Sequence, residues 1–216
     1  MKVVVVAATK GGVGKSTLAV ALAISAIEDG ERVGLVDCDP QGSTRDWHAL
    51  RGSPAEPALY DAPTLTEALI EAKSDKRSVV VVDTPPGGFG FIEPAVRQAD
   101  LVIIPVRPSP MDLLGVNAIV GLCDEHKRPW VFVLNQVSAD SAFASEAVAH
   151  LKSTGTLLKT NIALREAYSL AMAHGRTASE LVWVGRGGGD AREEMQAVWK
   201  EVKKLLTSKK SGGKKT

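Results

Sequence analysis

The valine-rich run Lys2–Ala8 ends in Thr9-Lys-Gly-Gly-Val-Gly-Lys-Ser-Thr17 and resumes as the helix-forming Leu-Ala-Val-Ala-Leu-Ala. A strand, a glycine-rich turn and a helix amino terminus in direct succession leave few folds open. Gly11, Gly12 and Gly14 let the backbone bend tightly around Val13, so that successive N–H groups point inward. The helix dipole adds positive potential at the same place. Such a cradle suits a chain of phosphates. Lys15 would reach the β- and γ-phosphates, the Ser16 hydroxyl would ligate Mg²⁺, and Thr17 completes the cradle at the first helical turn.

Apolar runs of strand length recur along the chain: Lys2–Ala8, Arg32–Asp37, Ser78–Asp83, Leu101–Val106 and Trp130–Asn135. Their apolarity is continuous rather than alternating, as for strands covered on both faces of a parallel sheet. Helical spacing fills the intervals over Lys15–Asp29, Thr64–Lys73, Phe91–Gln98 and Met111–Glu125. Further helices are expected over Ala142–Lys152, Leu164–His174 and Ala191–Leu206. The alternation predicts an α/β fold with a doubly wound, mostly parallel sheet flanked by helices. Ligands then bind at the carboxyl ends of the strands. Residues 1–207 are expected to form a single domain. Gly185–Gly189 reads as a flexible joint, and 208–216 as a basic tail without order.

No apolar run approaches the roughly 18 to 20 residues needed to span a bilayer. The amino terminus, broken by glycines and Lys15, does not have the form of a secretory signal, so a cytoplasmic location is expected. Residues 200–216 hold seven lysines against Glu201 alone, on a body that is net acidic. That asymmetry points to a polyanion contact, or to a tail that is only solubilising. Cys38 and Cys123 read as buried thiols in a reducing compartment, the alternative being ligands shared across a dimer.

The strand ends carry the chemistry. The second closes on Asp37-Cys-Asp-Pro-Gln41 and the third on Asp83-Thr-Pro-Pro-Gly87. An aspartate that ends a run of four valines fits a residue holding Mg²⁺ through water. The glycines from Gly87 to Gly90 permit movement when a phosphate leaves.

Where the usual phosphate loop has glycine this chain has Thr9, and Lys10 follows. The run Lys-Gly-Gly-Val-Gly-Lys-Ser resembles the deviant Walker A group, which includes the ParA and MinD-like ATPases. The resemblance implies ATP and Mg²⁺ as cofactors and a slow, partner-stimulated ATP hydrolysis. Lys10 resembles the signature lysine that crosses a dimer interface to the partner's nucleotide, a cation delivered in trans to developing charge. A solvated surface lysine is the alternative. Asp37-x-Asp-Pro-Gln41 matches the switch I motif, which assigns Asp39 to the attacking water and Asp37 to the vicinity of the metal, with Asp83 and Ser16. Asn135 would contact adenine. The catalytic set is then Lys10, Lys15 and Asp39.

Pro105-Val-Arg-Pro-Ser-Pro110 resembles the short plasmid-type ParA proteins that lack an amino-terminal DNA-binding domain. The resemblance implies an ATP-bound homodimer, nucleoid-associated through DNA bound without sequence preference and released when a ParB-like adaptor stimulates hydrolysis. The cargo would be a plasmid, a chromosome region or a protein assembly. Leu-Arg-Glu-Ala…His-Gly-Arg resembles the region of DNA-contacting arginines, which nominates Arg165 and Arg176. Arg165 has the alternative of a surface pair with Glu166 or Glu193.

A competing reading is a MinD-like membrane role. Met195, Val198, Trp199, Val202, Leu205 and Leu206 form one apolar stripe beside lysines, as in an interfacial helix. The same stripe suits a last helix packed on the sheet, which makes a membrane contact the less expected outcome. A carboxylate-activating ligase is the third class, against which Lys10 and Asp-Pro-Gln both argue.

Overall fold

The computed structural model describes residues 1–52, 56–181 and 188–208. Six strands form one fully parallel sheet: β1 Lys2–Val6, β2 Val33–Asp37, β3 Ala58–Leu59, β4 Val79–Asp83, β5 Leu101–Val106 and β6 Trp130–Leu134. Their order is β3-β2-β4-β1-β5-β6, which puts β1 in the interior between β4 and β5. Parallel neighbours require crossovers, and among the described residues eight helices supply the layers on the two faces. They are α1 Lys15–Glu28, α2 Ser43–Arg51, α3 Leu65–Ser74, α4 Phe89–Gln98, α5 Pro110–Glu125, α6 Ala144–Thr154, α7 Glu166–Met172 and α8 Gly188–Thr207. A 3-10 turn at Ala178–Glu180 follows α7.

Alternate side chains of the valine strands enter two separate cores. Val5, Val80, Val82 and Phe132 face a layer that includes α4 and α5. Val4, Val6, Val81 and Val133 face α1 and α8. Helix starts follow local chemistry where it exists. Thr64 and Glu67 form a reciprocal capping box ahead of α3, and Pro110 stands at the first turn of α5.

Every expected strand and helix is present, with no end moved by more than three residues. α7 begins at Glu166 rather than Leu164, and α8 begins at Gly188 rather than Ala191. Three elements went unforeseen: α2, the two-residue edge strand β3 and the 3-10 turn. Of the proposed glycine joint, residues 185–187 lie outside the described residues, whereas Gly188 and Gly189 begin α8. The tail 209–216 also lies outside them.

The apolar stripe of α8 is part of the core. Met195, Val198, Trp199 and Val202 are buried with α1. Trp199 Nε1 and Lys203 Nζ both donate to Asp29 Oδ2, at 2.9 and 2.6 Å. Among the described residues, no helix is long and apolar enough to cross a membrane.

Candidate nucleotide site

β1 delivers the phosphate loop into the middle of the sheet's carboxyl edge. Gly12 and Gly14 adopt φ of 72° and 86°, the left-handed region that a side chain would strain. A Cβ on Gly14 would also stand 2.7 Å from Asn135 Nδ2. That amide donates to the Val13 carbonyl at 2.8 Å, and Gln136 Nε2 donates to the Gly12 carbonyl at 3.1 Å. Two side chains from the end of β6 therefore hold carbonyls of the loop, which leaves its N–H groups to face a ligand. Asn135 thus has a role beyond the adenine contact expected of it.

Lys15 is buried, and its Nζ donates to the Lys10 carbonyl at 3.3 Å. Burial lowers its pKa, an effect that Asp83 and Asp39 oppose. A largely buried ammonium with one weak carbonyl partner is primed for phosphate oxygens.

β2 and β4 are paired so that Asp37 and Asp83 stand opposite each other in register. The two carboxylates nevertheless do different work. Asp37 Oδ1 accepts from the N–H of Asp39 at 2.9 Å, and Oδ2 accepts from the N–H groups of Thr44 and Arg45 at 3.0 and 2.9 Å. It is the anionic cap of α2, a helix that has Gly42 at its N-cap and no local side-chain cap. The metal role expected of Asp37 would have to compete with these three bonds.

Asp83 is free for a cation. Its Oδ2 accepts from Thr44 Oγ1 at 2.9 Å, whereas buried Oδ1 has no hydrogen-bond partner among the described residues. Burial pushes its pKa up to about 6, the Ser16 and Thr44 hydroxyls and Lys15 pull it down, and neighbouring Asp37 adds to the rise. A buried, orphaned carboxylate oxygen close to the Ser16 hydroxyl matches the hard-oxygen set that Mg²⁺ takes. Ser16 and Asp83 are the residues that would hold it. The metal would neutralise phosphate charge, and the chain's own part is to keep the Asp83 carboxylate buried next to the half-buried Ser16.

Asp39 Oδ1 accepts from the N–H of Gln41 at 2.9 Å, and its carbonyl accepts from Arg45 Nη2 at 3.0 Å. It lines an open basin of about 540 Å³ above the phosphate loop, with Lys15, Trp47, Pro86 and Met172. The three strand ends are tied together. Thr84 Oγ1 donates to the Val6 carbonyl at 2.9 Å, Gly87 N donates to Thr9 O at 3.0 Å, and Cys38 N donates to Asp83 O at 2.9 Å. A second cavity, of about 150 Å³, opens beside Asn135 between Thr17 and Leu18 on one side and Ile162, Leu164 and Tyr168 on the other.

Lys10 is exposed, and its stem runs over α5. A Cβ added at Gly115 would meet Thr9 Oγ1 at 3.2 Å and Lys10 Cε at 3.5 Å, so glycine there makes room for both. Arg107 lies alongside the loop and forms a forked pair with buried Asp112, at 2.6 and 3.2 Å. Neither Arg107 nor Asp112 was singled out from sequence as a site residue. Thr44, Trp47 and Arg51 were missed as well, because α2 itself was.

The two arginines nominated for DNA part company. Arg176 is exposed, and its side chain makes no hydrogen bond or ion pair among the described residues. Arg165 is bound to Glu194 at 2.6 Å and to Asp190 at 3.2 Å. Neither is Glu166 or Glu193, the partners expected from sequence. Cys38 is half-buried and Cys123 buried, and burial pushes both thiols up to about 12. No group of three or more His, Cys, Asp or Glu side chains placed to hold a metal occurs among the described residues.

A phosphate loop between β1 and α1, facing a metal-ready aspartate on the adjacent strand, defines a P-loop nucleotide-binding protein. Residues 4–178 match the CobQ/CobB/MinD/ParA nucleotide binding domain, and the chain belongs to that family. It is an ATPase of the ParA and MinD type, in a family that includes positioning ATPases. The chain is 36% identical over 215 residues to the maintenance of carboxysome distribution protein A of Gloeobacter kilaueensis, covering 93% of this chain and 94% of that one. Its fold is similar to that of an aspartate-to-alanine variant of Cyanothece McdA in complex with ATP. That match has a TM-score of 0.71 and 18% identity, and covers 97% and 98% of the two chains. MinD in the MinC:MinD complex of Aquifex aeolicus superimposes with a TM-score of 0.75 and 19% identity, covering 94% and 96%.

Proposed function

We propose that this chain is a nucleotide-switched positioning ATPase. Its ATP-bound dimer holds DNA without sequence preference and lets go when an adaptor protein stimulates hydrolysis. The observation that carries this reading is the placement of Lys10. It is exposed at the rim of the phosphate loop, outside its own buried site, where Lys15 already serves. α5, over which its stem runs, presents Met111 and Leu114 at 62% and 75% exposure, and α4 presents Phe91 at 67%. Exposed apolar side chains on the helix beside a cation suit a face that a second copy covers. Lys10 would then reach the other subunit's phosphates, with Asp39 orienting water in its own site.

Within the site, Gly11 to Thr17 cradle the phosphates, Ser16 and Asp83 hold Mg²⁺, and the base enters the cavity beside Asn135. Asp37 acts indirectly, by capping α2 and so shaping the loop that carries Asp39. DNA would meet Arg176 and the exposed lysines 200 and 204, with lysines 209, 210, 214 and 215 in the tail. Such contacts address phosphates and are additive across a dimer. The carboxysome relatives support a protein assembly as cargo, and the partition relatives support a DNA molecule.

The experiment is binding to random-sequence duplex DNA with ATP, ADP or no nucleotide, together with sedimentation on anionic vesicles. Salt-sensitive DNA binding in ATP alone is expected. Vesicle binding without DNA binding would replace this reading with a membrane role. The burial of the α8 stripe argues against that role.

A further inference from the structure

The cavity beside Asn135 has one wall that is neither strand nor helix, the segment Ile162–Arg165. Its backbone is laced to the end of β6 and the residues just after it. Ile162 N donates to Leu134 O at 2.9 Å, Val137 N to Ile162 O at 3.0 Å, and Leu164 N to Val137 O at 2.9 Å. From the other side it is gathered chiefly by a carboxylate of α8, nearly thirty residues away in sequence. Glu194 accepts from Arg165 Nη2 at 2.6 Å, Arg165 Nε at 3.2 Å, Tyr168 Oη at 3.1 Å and Ala163 N at 3.4 Å. Arg165 and Tyr168 themselves line the cavity, and Leu164, between the two anchorages, is 63% exposed.

We propose that Glu194, acting through Arg165 and Tyr168, is the positioning residue of the nucleoside-binding wall, so that Arg165 serves nucleotide affinity and not DNA. The ligand class is the base and ribose of a nucleoside di- or triphosphate. A wall fixed before the base arrives spares the binding step the ordering of four residues, and a fixed Leu164 offers the base an apolar face. The arrangement is also economical for an arginine. Its planar fork takes Glu194 through two nitrogens, and its third reaches Asp190, which leaves little of it for a DNA phosphate. The inference rests on the placement of the base beside Asn135 proposed above.

Because the clamp touches only the nucleoside end, its loss weakens ATP and ADP alike and spares a ligand made of phosphates alone. The test measures affinities of the full chain for Mg²⁺ with ATP, ADP and inorganic tripolyphosphate, in wild type, Glu194→Gln and Tyr168→Phe. In Glu194→Gln, ATP and ADP are expected to weaken by roughly tenfold, the scale of one charge-assisted hydrogen bond, and tripolyphosphate to be unchanged. In turnover, KM rises and kcat holds, the signature of binding lost equally from ground and transition states. Tyr168→Phe moves the same way by a smaller factor.

A ratio of ATP to tripolyphosphate affinity unchanged from wild type overturns the proposal. If Glu194→Gln melts too low to assay, an unchanged ratio in Tyr168→Phe overturns it by itself. Arg165→Ala that loses DNA binding at saturating ATP, with nucleotide affinity intact, overturns it as well. A wild-type protein that binds tripolyphosphate as tightly as ATP would instead overturn the placement of the base.

Discussion

Trp47 Nε1 donates a 2.8 Å hydrogen bond to the carbonyl of Arg176 and so ties α2, the helix that follows the Asp37–Gln41 loop, to the loop that follows α7. Arg51, one turn further along α2, reinforces the tie. It lies over the Trp47 ring and forks onto Glu180 at 2.6 and 2.9 Å, with Gly175 O at 3.2 Å. The carboxylate of Asp37 caps the other end of the same helix. A change at the switch loop is thereby mechanically connected to the backbone that presents Arg176.

The Arg51–Glu180 pair is mostly buried, so Arg51→Ala should cost about 2 kcal/mol of stability in urea unfolding. Burial alone would raise the Glu180 carboxyl, yet hydrogen bonds from Arg51 and Thr177 outweigh it and hold the pKa below its ordinary value. The pair's contribution is therefore fully present above the unfolded glutamate value, about 4.3, and is lost as pH falls through the folded one. The stability gap between wild type and Glu180→Gln should close between neutral and acid pH. A gap independent of pH would refute this.

Gly175→Ala should be more damaging than an ordinary surface change. The residue has φ of 63°, and an added Cβ would run into the backbone of Leu50 and Arg51 rather than into a movable side chain. A loss above about 2 kcal/mol is expected, from strain and enforced separation of α2 together. A melting temperature equal to wild type would mean that the two backbones are not in contact.

The two lysines of the phosphate loop should separate cleanly. Lys15→Ala is expected to abolish binding of ATP and ADP by calorimetry. Lys10→Ala should bind both as a monomer and fail to dimerise in ATP by sedimentation equilibrium. Dimerisation by Lys10→Ala would remove its role in trans.

Asp39→Ala should keep ATP and persist as a dimer, with turnover reduced to background. The variant also loses the acceptor for Gln41 N–H, at a cost of about 1 kcal/mol in the nucleotide-free state. Normal turnover would disprove the water-orienting assignment.

Asp83→Asn should make ATP binding indifferent to Mg²⁺, whereas wild type binds more tightly with the metal. The substitution also removes a costly buried carboxylate, so the nucleotide-free variant should melt above wild type at alkaline pH. A retained Mg²⁺ dependence would move the metal to other ligands.

The five long strands were legible because an unbroken valine run has few other uses, and the phosphate loop because only one conformation suits three glycines before a lysine. α2 was not legible. Its buried residues are only Thr44 and Trp47, so no apolar stripe marks it, and the acid that caps it stands on the preceding strand. The sequence did offer Arg165 a partner on the last helix, Glu193, yet the residues that hold it are Asp190 and Glu194, 25 and 29 positions away. Local spacing finds what a segment does to itself. It does not say which face of a distant helix will meet a side chain.

The pairing of Asp37 with Asp83 across β2 and β4 has a consequence for how this chain can vary. β2 and β4 are a gauge as well as a core: five residues each, begun level so that they end level. Exchanging one valine for isoleucine leaves the gauge intact. Deleting one would preserve hydrophobicity almost perfectly, yet it would invert every side chain beyond the gap and carry one acid to the wrong face. Length, rather than composition, is what these two strands must conserve.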